Sequence, residues 1–454
     1  MPSPSTFDFT FGKSGTPREP EDPMRLLVLG DFSGRPASER TPLATRPTVR
    51  VDLDTLDAAI AKLSPRVTTP EATIAIGSLD DFHPDALFAK VELFKQLREA
   101  RSRPAPQGDD SPLAALLGGK APQAAAASAA SANDDWLNAL LKRVVAPHVV
   151  PDTSGATKAY VNAIDASIAA EMRRVLHAPA FQALEANWRG VQWLVSSLEL
   201  DEQLQLHVLD VTAEELQADL DASPDGDVLK TAAYAALVGR WRGVPGAQRW
   251  SAMVGLYGFG PSVRDLSLLG ALGAIASHSG CPFLAAATAA LWSTPDADVT
   301  AWNTLRASGA APWIGLVAPR MLLRLPYGAR QEKVDAFAFE ELGNAPEHDH
   351  YLWAPGSLAV AALLGRGYRL AEGWSFSPGD ERDIEDLPSC TRLDAHGEPE
   401  LVPCAEAFLP DQASERLLAT GLMPLLSHRH RNAVQLARFQ SIASPPAALN
   451  GLPA

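Results

Sequence analysis

The chain has 454 residues, of which 46% are hydrophobic and 20% are charged, a balance typical of globular proteins that bury large cores. Its formal net charge is −15 at pH 7, so the protein as a whole is repelled by phosphate backbones and anionic lipid surfaces, and we expect no nucleic-acid partner. No apolar run reaches the ~20 residues that a membrane-spanning helix requires, so we expect no membrane insertion.

The first 23 residues are rich in Pro, Ser and Thr, which predicts a disordered tail. They lack the basic-then-apolar order of a signal peptide. The three cysteines, Cys281, Cys390 and Cys404, have no CxxC spacing, so neither a disulfide framework nor a zinc site is indicated. We therefore expect a cytoplasmic protein with reduced thiols.

Residues 24–103 predict a small region of strands and helices. Apolar runs and alternating patterns indicate strands, and apolar spacings of three and four indicate helices. The predicted elements are, in chain order, a strand at Arg25–Leu29, a strand at Thr48–Leu53, a helix carrying Leu56, Ile60 and Leu63, a strand at Ala72–Ile76, and one helix from Asp81 past Leu97. Asp81 is the expected N-cap of this last helix, and Pro84 is expected in its first turn.

Residues 104–134 differ sharply in composition from both flanks. They contain several prolines, a Gly-Gly pair and the run AAAASAASAN, and few of them could offset the entropy of ordering by burial. We predict that this stretch is a linker, and that it separates residues 24–103 from a second region at 135–442, which is followed by a tail at 443–454.

Strand and helix patterns alternate along the second region. The predicted helices are Trp136–Val144, Ala159–Leu176, Pro179–Leu200, Glu214–Leu220, Asp265–Ser279 and Trp302–Arg306. The predicted strands are Leu204–Val211, Met253–Leu256, Pro282–Ala286 and Trp313–Val317. Such alternation predicts an α/β fold.

No motif of a catalytic or cofactor site is found. There is no GxxxxGK[ST] phosphate loop and no GxSxG nucleophile elbow. The glycine-rich run Gly255–Gly260 has the wrong spacing for a dinucleotide site and predicts a turn after a strand. His428 and His430 could chelate a metal, but the arginines beside them favour a solvated basic turn. We therefore expect neither an enzyme nor a cofactor.

Arg320 and Arg324 lie within the apolar run PRMLLRLPY. A buried guanidinium requires a partner, because unpaired burial costs several kcal/mol. Glu340 and Glu341, just downstream, are candidate partners in structural ion pairs. An anion-binding site is the functional alternative.

Several motifs then occur in a recognisable order. RLLVLGDFSGR, which contains Asp31, Phe32 and Gly34, resembles the opening of the small sheath subunit of type VI secretion systems, the TssB or VipA family. LDDFHPDALFAKVELFKQLREAR resembles that family's SMDDFxP helix and contains Asp81, Phe82 and Pro84.

The second region is similar to the large sheath subunit, the TssC or VipB family. VLHAPAFQALEANWRGV carries the motif residues Glu185, Trp188, Arg189 and Gly190. The same similarity extends to the segment around Pro282 and Phe283 and to the PRMLLRLPYG run with Pro319, Pro326 and Tyr327.

The resemblance implies mixed sheets flanked by helices and a structural role in a contractile sheath that drives an inner tube outwards. The implied partners are sheath or baseplate proteins, with the inner tube and a ClpV-type ATPase as further candidates. Trp136–Val145 is a candidate for the segment that the ATPase recognises. The alternatives are an accessory or baseplate-proximal protein that binds the sheath without polymerising, and an enzyme on an α/β scaffold.

The sequence departs from the family in three respects. The small-subunit similarity stops near Arg103, short of that family's C-terminal portion. The two subunits are normally separate chains, whereas here they are joined. The large-subunit similarity ends soon after Gln440 and Ser441, where the family continues into strands that join neighbouring protomers. We therefore expect monomers or small oligomers of the isolated protein rather than long tubes.

Overall fold

The structure is a computed structural model. It describes residues 18–69, 73–102, 156–242, 247–293, 299–329, 331–343, 347–389, 391–393, 399–428 and 431–453. The predicted linker at 104–134 and the predicted helix Trp136–Val144 lie outside the described residues, as do residues 1–17, Cys390 and His430.

The described chain contains twelve α-helices and fifteen strands. The helices are α1 Leu56–Leu63, α2 Pro84–Lys90, α3 Glu92–Ser102, α4 Ala156–Leu176, α5 Pro179–Ser197, α6 Ala213–Asp221, α7 Ala232–Tyr234, α8 Val263–Ser279, α9 Ala289–Trp292, α10 Val299–Arg306, α11 Ser357–Leu370 and α12 Asp411–Ala419. The strands are β1 Met24–Gly30, β2 Val49–Val51, β3 Arg66–Thr68, β4 Thr73–Ala75, β5 Leu204–Asp210, β6 Ala252–Phe259, β7 Phe283–Ala287, β8 Ile314–Ala318, β9 Met321–Leu322, β10 Trp353–Ala354, β11 Asp383–Ile384, β12 Thr391–Leu393, β13 Pro399–Leu401, β14 Met423–Ser427 and β15 Val434–Leu436.

The chain divides into two compact units. Unit 1 is drawn from Met1–Pro65, Ala183–Leu325 and Leu352–Ala454, and unit 2 from Arg66–Gln182 and Pro326–Tyr351. Each unit therefore takes residues from both sides of the predicted linker, so proximity in sequence does not decide which residues pack together.

Unit 1 is built on a nine-stranded sheet in the order β11-β15-β14-β8-β7-β6-β1-β5-β2. The six strands from β14 to β5 are parallel, and the strands outside them run antiparallel to their neighbours. The central strands are buried on both faces, as in β7 and β8 where every residue is buried. Such strands read in the sequence as unbroken apolar runs. The predicted α/β class, with a mixed sheet flanked by helices, is confirmed.

Helices cover both faces of this sheet. On one face, side chains of α6, α8 and α10 join alternate strand residues such as Leu27, Leu29 and Leu209 in one apolar core. On the other face, α11 packs on β1, β6, β7 and β8, and α5 packs against α11.

The first strand lies inside the sheet, third from the edge that β2 forms. β1 pairs in parallel with β5 on one side and with β6 on the other, although more than 170 residues of sequence separate it from both. β2 then forms the edge beside β5. The N-terminal region thus supplies two strands to a sheet whose other strands come from the second region.

The C-terminal residues also belong to unit 1. Ala443 and Leu449 are buried, and the main-chain N–H of Asn450 donates a hydrogen bond to the carbonyl of Pro312 (2.8 Å). Residues 443–453, treated as a tail in the sequence analysis, therefore contribute to the core beside β8.

Unit 2 contains the β3–β4 hairpin and helices α2, α3 and α4. The single helix predicted from Asp81 past Leu97 is wrong, because it is divided into α2 and α3 at the extended residue Val91 (φ −79°, ψ 128°). The β-branched side chain of Val91 suits an extended backbone, and Val91 is buried there.

Two further local predictions are corrected. Gly255–Gly260 does not form a turn after a strand, because β6 continues to Phe259. Glycine is required within this strand since a Cβ atom at Gly255 would lie 2.8 Å from the Phe283 ring. The N-cap of α2 is His83, whose Nδ1 accepts the Asp85 N–H, rather than Asp81, whereas Pro84 occupies the first turn as predicted.

Candidate functional site

Two acidic residues meet at the carboxyl edge of the sheet. β1 ends at Gly30 and is followed by Asp31, and β5 ends at Asp210. Gly30 and Asp210 are partners in the parallel register. The N-terminal region and the second region therefore meet at this edge, and we call the set Asp31, Phe32, Ser33, Arg40, Arg46, Asn187, Trp188, Asp210 and Glu215 the junction.

Asp210 fixes the loop that follows β1. Its Oδ1 accepts the N–H groups of Phe32 (2.8 Å) and Ser33 (3.1 Å), and its Oδ2 accepts the Ser33 hydroxyl (2.6 Å). Asp210 is buried, and a buried carboxylate is stable only when its oxygens accept such bonds. A side chain of the second region thus orders the backbone of the N-terminal region.

Two arginines of the N-terminal region neutralise the acidic groups. Arg46 forms a bidentate pair with Glu215 (2.6 and 2.8 Å) and donates to the main-chain carbonyl of Asp210 (2.6 Å). Arg40 pairs with Asp31 (2.7 Å) and lies 3.5 Å from Asp210 Oδ1. Bidentate arginine pairs are directional, so these contacts fix the position of residues 40–46 on the sheet edge.

Local capping presents Glu215 to Arg46. The Thr212 hydroxyl accepts the Glu215 N–H and thereby caps α6, which places Glu215 in the first turn, where a negative charge is favoured by the helix dipole. Burial raises the pKa of Asp31 above its ordinary value, although Arg40 and the Gly34 N–H oppose that shift. The junction is therefore a partly dehydrated charge cluster.

An aromatic contact continues the junction onto α5. The rings of Phe32 and Trp188 meet edge to face, with centroids 5.1 Å apart. The Trp188 indole N–H donates to the Phe32 carbonyl (2.9 Å), and the Asn187 amide donates to the Asp31 carbonyl (2.9 Å). Phe32 and Trp188 are fully buried, so this contact contributes apolar burial as well as hydrogen bonds.

Another cluster of charged residues in unit 1 is centred on Glu185 of α5. Glu185 is fully buried, and its Oε1 accepts hydrogen bonds from Arg189 (2.7 Å) and Arg324 (2.8 Å). Arg320 forms a bidentate pair with Glu406 (2.6 and 2.9 Å). Unit 1 therefore supplies Glu185 and Glu406 as partners for the two arginines that the sequence analysis singled out.

Glu340 and Glu341, the partners considered from the sequence, belong to unit 2. There Glu341 accepts the Tyr327 N–H (2.7 Å), and Glu340 accepts the Ala329 N–H (3.1 Å). Both carboxylates thus order the backbone that follows Pro326, which is itself buried.

The SMDDF-like motif also has a structural position in unit 2. Asp81 accepts the Gly77 N–H (2.7 Å) and pairs with Lys90. Burial alone would raise the pKa of Asp81, but these bonds outweigh burial and lower it. Phe82 is fully buried against the ring of Phe181 (5.5 Å).

The remaining motif residues have packing roles in unit 1. A Cβ atom on Gly190 would lie 2.6 Å from Leu358. The Pro282 carbonyl accepts the Met253 N–H (2.9 Å), and Phe283 begins β7 fully buried. The peptide bond before Pro319 is cis.

The arrangement is suited to holding protein segments together. No group of three or more His, Cys, Asp or Glu side chains that could hold a metal is present within the described ranges. Burial raises the pKa of the Cys281 thiol to about 11, which keeps it protonated and unreactive at neutral pH. None of the helices that the structure describes is both long and apolar enough to cross a membrane.

Sequence reasoning missed Ser33, Arg40, Arg46, Asn187, Asp210, Glu215 and Glu406. One signal for Asp210 was available, since two apolar strand patterns each end in an aspartate. No local pattern identifies Arg40 or Arg46, because the residues next to an arginine in the sequence do not show whether its side chain is exposed or buried. Their partners are determined by strand order.

Comparison with known proteins gives matches to the families of both sheath subunits. The VipB family, described as EvpB/VC_A0108, tail sheath N-terminal domain, matches residues 158–298 and 293–444. The family described as Type VI secretion system, VipA, VC_A0107 or Hcp2 matches residues 6–105.

Two curated relatives come from Pseudomonas aeruginosa strain PAO1. The chain is 29% identical to the type VI secretion system sheath protein TssC1 over 330 residues, covering 67% of this chain and 66% of the relative. It is 30% identical to the sheath protein TssB1 over 100 residues, covering 20% of this chain and 58% of the relative. The chain thus spans less than two thirds of either relative. It carries an N-terminal VipA-like region and belongs to the VipB tail-sheath family of type VI secretion systems.

Proposed function

We propose that this chain is a structural, non-catalytic component of a type VI secretion contractile sheath or of an assembly attached to that sheath. The observation that carries the proposal is the position of β1. A strand of the VipA-like region completes the sheet of the VipB-like region, with β5 and β6 on its two sides. A single chain thereby combines segments that resemble two sheath proteins.

The character of the junction supports a structural role over an enzymatic one. Its carboxylates accept hydrogen bonds from main-chain amides and arginines of the same chain. A catalytic acid or base must instead reach a substrate. We expect broad hydrolase and nucleotide-turnover screens of the purified protein to give background rates. Turnover that a point substitution in a defined pocket abolishes would contradict the non-catalytic assignment.

The proposed partners are sheath or baseplate proteins of the same secretion system. The similarity to proteins named TssC1 and TssB1 supports sheath proteins as the first class. An inner tube and a ClpV-type ATPase are finer candidates that follow from a contractile role. Action of the assembled apparatus in the cytoplasm is part of the same proposal.

Sheath association can be measured in the organism that encodes the chain. An epitope-tagged copy should sediment with sheath cylinders on ultracentrifugation and be labelled on them by immunogold microscopy. Labels along the length would assign it to the sheath wall, and labels at one end to the attached assembly. The control is the same tagged copy in a strain without the sheath genes. Equal sedimentation in both strains, with unlabelled cylinders, would refute the proposal.

A further inference from the structure

One strand, β1, lies between β5 and β6 in the sheet. β5 and β6 are therefore connected through β1. We infer that the space between β5 and β6 is a strand-binding slot which the chain fills with its own β1, so that the assembly unit is a single polypeptide that takes up no separate small sheath subunit. The inference rests on the proposed function, because that function identifies the partner that is excluded.

The strand is seated along its whole length. All seven residues from Met24 to Gly30 have register partners on β5, and Leu26–Leu29 also have partners on β6. Met24 and Leu26–Leu29 are fully buried. A competing strand would have to displace hydrogen bonds on two sides and apolar contacts on two faces.

The loop after the strand makes the slot selective. Asp210 and Glu215 are largely buried, and their oxygens accept from Phe32, Ser33 and Arg46. Without those donors the two carboxylates would be left desolvated and unpaired, which is strongly unfavourable. An occupant must therefore present a strand, two main-chain amides and a correctly spaced arginine, and this chain supplies all of them.

The covalent connection decides between this occupant and a separate one. A segment on a short flexible linker has an effective concentration on the order of mM, which falls roughly as the −3/2 power of linker length. More than 170 residues connect β1 to β5, and the effective concentration of β1 is still above that of a free subunit at about 1 µM. At equal intrinsic affinity the tethered β1 would then occupy the slot in most molecules. The same segment in a second chain would be excluded.

Engineered cysteines can distinguish the two modes of filling in the full-length protein. Arg25, which is half-buried, and Gln205, which is buried, are register partners near the start of the β1–β5 pair, and neighbouring strands lie within disulfide reach. On mild oxidation, R25C/Q205C should remain a monomer and lose two reactive thiols. R25C carrying one tag and Q205C carrying another, expressed together, should form no mixed disulfide.

The two single variants are the controls, because Cys281, Cys390 and Cys404 remain in each of them. A mixed R25C–Q205C disulfide, or a double variant that forms mainly dimers, would overturn the inference, since the slot would then accept β1 from another chain. Free thiols at both engineered positions in a folded double variant would show that β1 does not pair with β5. If R25C/Q205C does not fold, L26C/L206C on the next register pair of β1 and β5 gives the same two readouts. Disulfide formation in the purified protein does not depend on a secretion apparatus. The protein can therefore form the disulfide without associating with sheaths, or associate with sheaths without forming the disulfide, so the two proposals can fail separately.

Discussion

At the scale of single residues, unit 1 is distinguished by charged groups that are buried and matched to one another. Asp210 and Glu185 are both buried, yet each accepts hydrogen bonds from more than one donor. Removing one partner of a buried ion pair lowers the free energy of unfolding by more than the intact pair contributes to it, because the remaining charge stays desolvated. Exposed ion pairs lack this property.

Replacing Glu185 with glutamine should therefore destabilise unit 1 by about 3–5 kcal/mol, because it leaves Arg189 and Arg324 without their shared carboxylate. The midpoint of urea unfolding, followed by tryptophan fluorescence, measures the change. The matched control is Glu202→Gln, since Glu202 pairs with Arg50 at 3.0 Å but its side chain is 83% exposed. That control should cost under ~1 kcal/mol. Equal midpoints for the two variants would contradict the structural role of Glu185.

His207 gives unit 1 a defined pH dependence. Burial, together with Arg25 and Arg50, lowers the pKa of His207 from 6.5 to about 4. In the unfolded chain the imidazole takes up a proton near pH 6.5, whereas in the folded protein it stays neutral until about pH 4. The free energy of unfolding should thus fall as the pH drops from 6.5 towards 4, by on the order of 3 kcal/mol in total.

Urea midpoints measured at several pH values test this dependence. The His207→Gln variant cannot bind a proton at this position, so its stability should fall less steeply across the same window. Nuclear magnetic resonance of the His207 ring in the wild type should show titration near pH 4. Parallel pH profiles for the two proteins would show that His207 does not contribute.

At the scale of elements, α5 and α11 approach closely because Gly190 of α5 faces Leu358 of α11, and Gly365 of α11 faces Leu198, the residue that follows α5. A Cβ atom on Gly190 of α5 would lie 2.6 Å from Leu358, and one on Gly365 of α11 would lie 2.7 Å from Leu198. Leu358 is fully buried, so it has little room to move. In a close-packed core such a clash is relieved only by strain.

Gly190→Ala should consequently destabilise unit 1 by about 1–3 kcal/mol, even though alanine favours an isolated helix by ~1 kcal/mol. Gly239→Ala is the matched control, because the nearest atom to a Cβ there, the Tyr234 carbonyl oxygen, is 3.8 Å away. That variant should be neutral or slightly stabilising. Thermal or urea unfolding measures both, and a neutral Gly190→Ala would show that α11 can move away from α5.

At the scale of the whole molecule, both ends of the described chain enter the core of unit 1. β1 is an interior strand of the sheet, and residues 443–453 pack beside β8. The predicted linker joins the two sequence regions covalently, but the sheet joins them through non-covalent contacts as well. Continuity of the chain is therefore not required for those contacts once they have formed.

Cleavage at a protease site introduced within residues 104–134 should leave the two fragments associated. The N-terminal fragment would retain β1 and β2 in the sheet, where β1 is paired on both sides and buried. Size-exclusion chromatography under native conditions should give one peak containing both fragments, and the same column in urea should give two. Two peaks under native conditions would contradict the seating of β1.

The sequence by itself determined the fold class, the family and the elements of unit 1 from β1 to β8 apart from the short helices α7 and α9, whereas no element after β8 was predicted. The apolar run Arg25–Leu29 predicted β1 nearly to the residue, because strands buried on both faces favour unbroken apolar sequence. Leu204–Val211 predicted β5 equally closely, although Gln205 and His207 interrupt its apolar residues. Several motifs in a fixed order identified the resemblance to sheath proteins, because each motif can be recognised from a few consecutive residues.

Only the tertiary structure decided which of these elements meet. Periodicity contains no information on strand order, so it could not place β1 between β5 and β6. It could not match Arg46 to Glu215 or Arg324 to Glu185 either, because each pair joins residues more than 130 positions apart. Arg46 meets Glu215 where parallel strands bring their carboxyl ends to one edge, and both pairs are retained because a buried charge is stable only beside its partner.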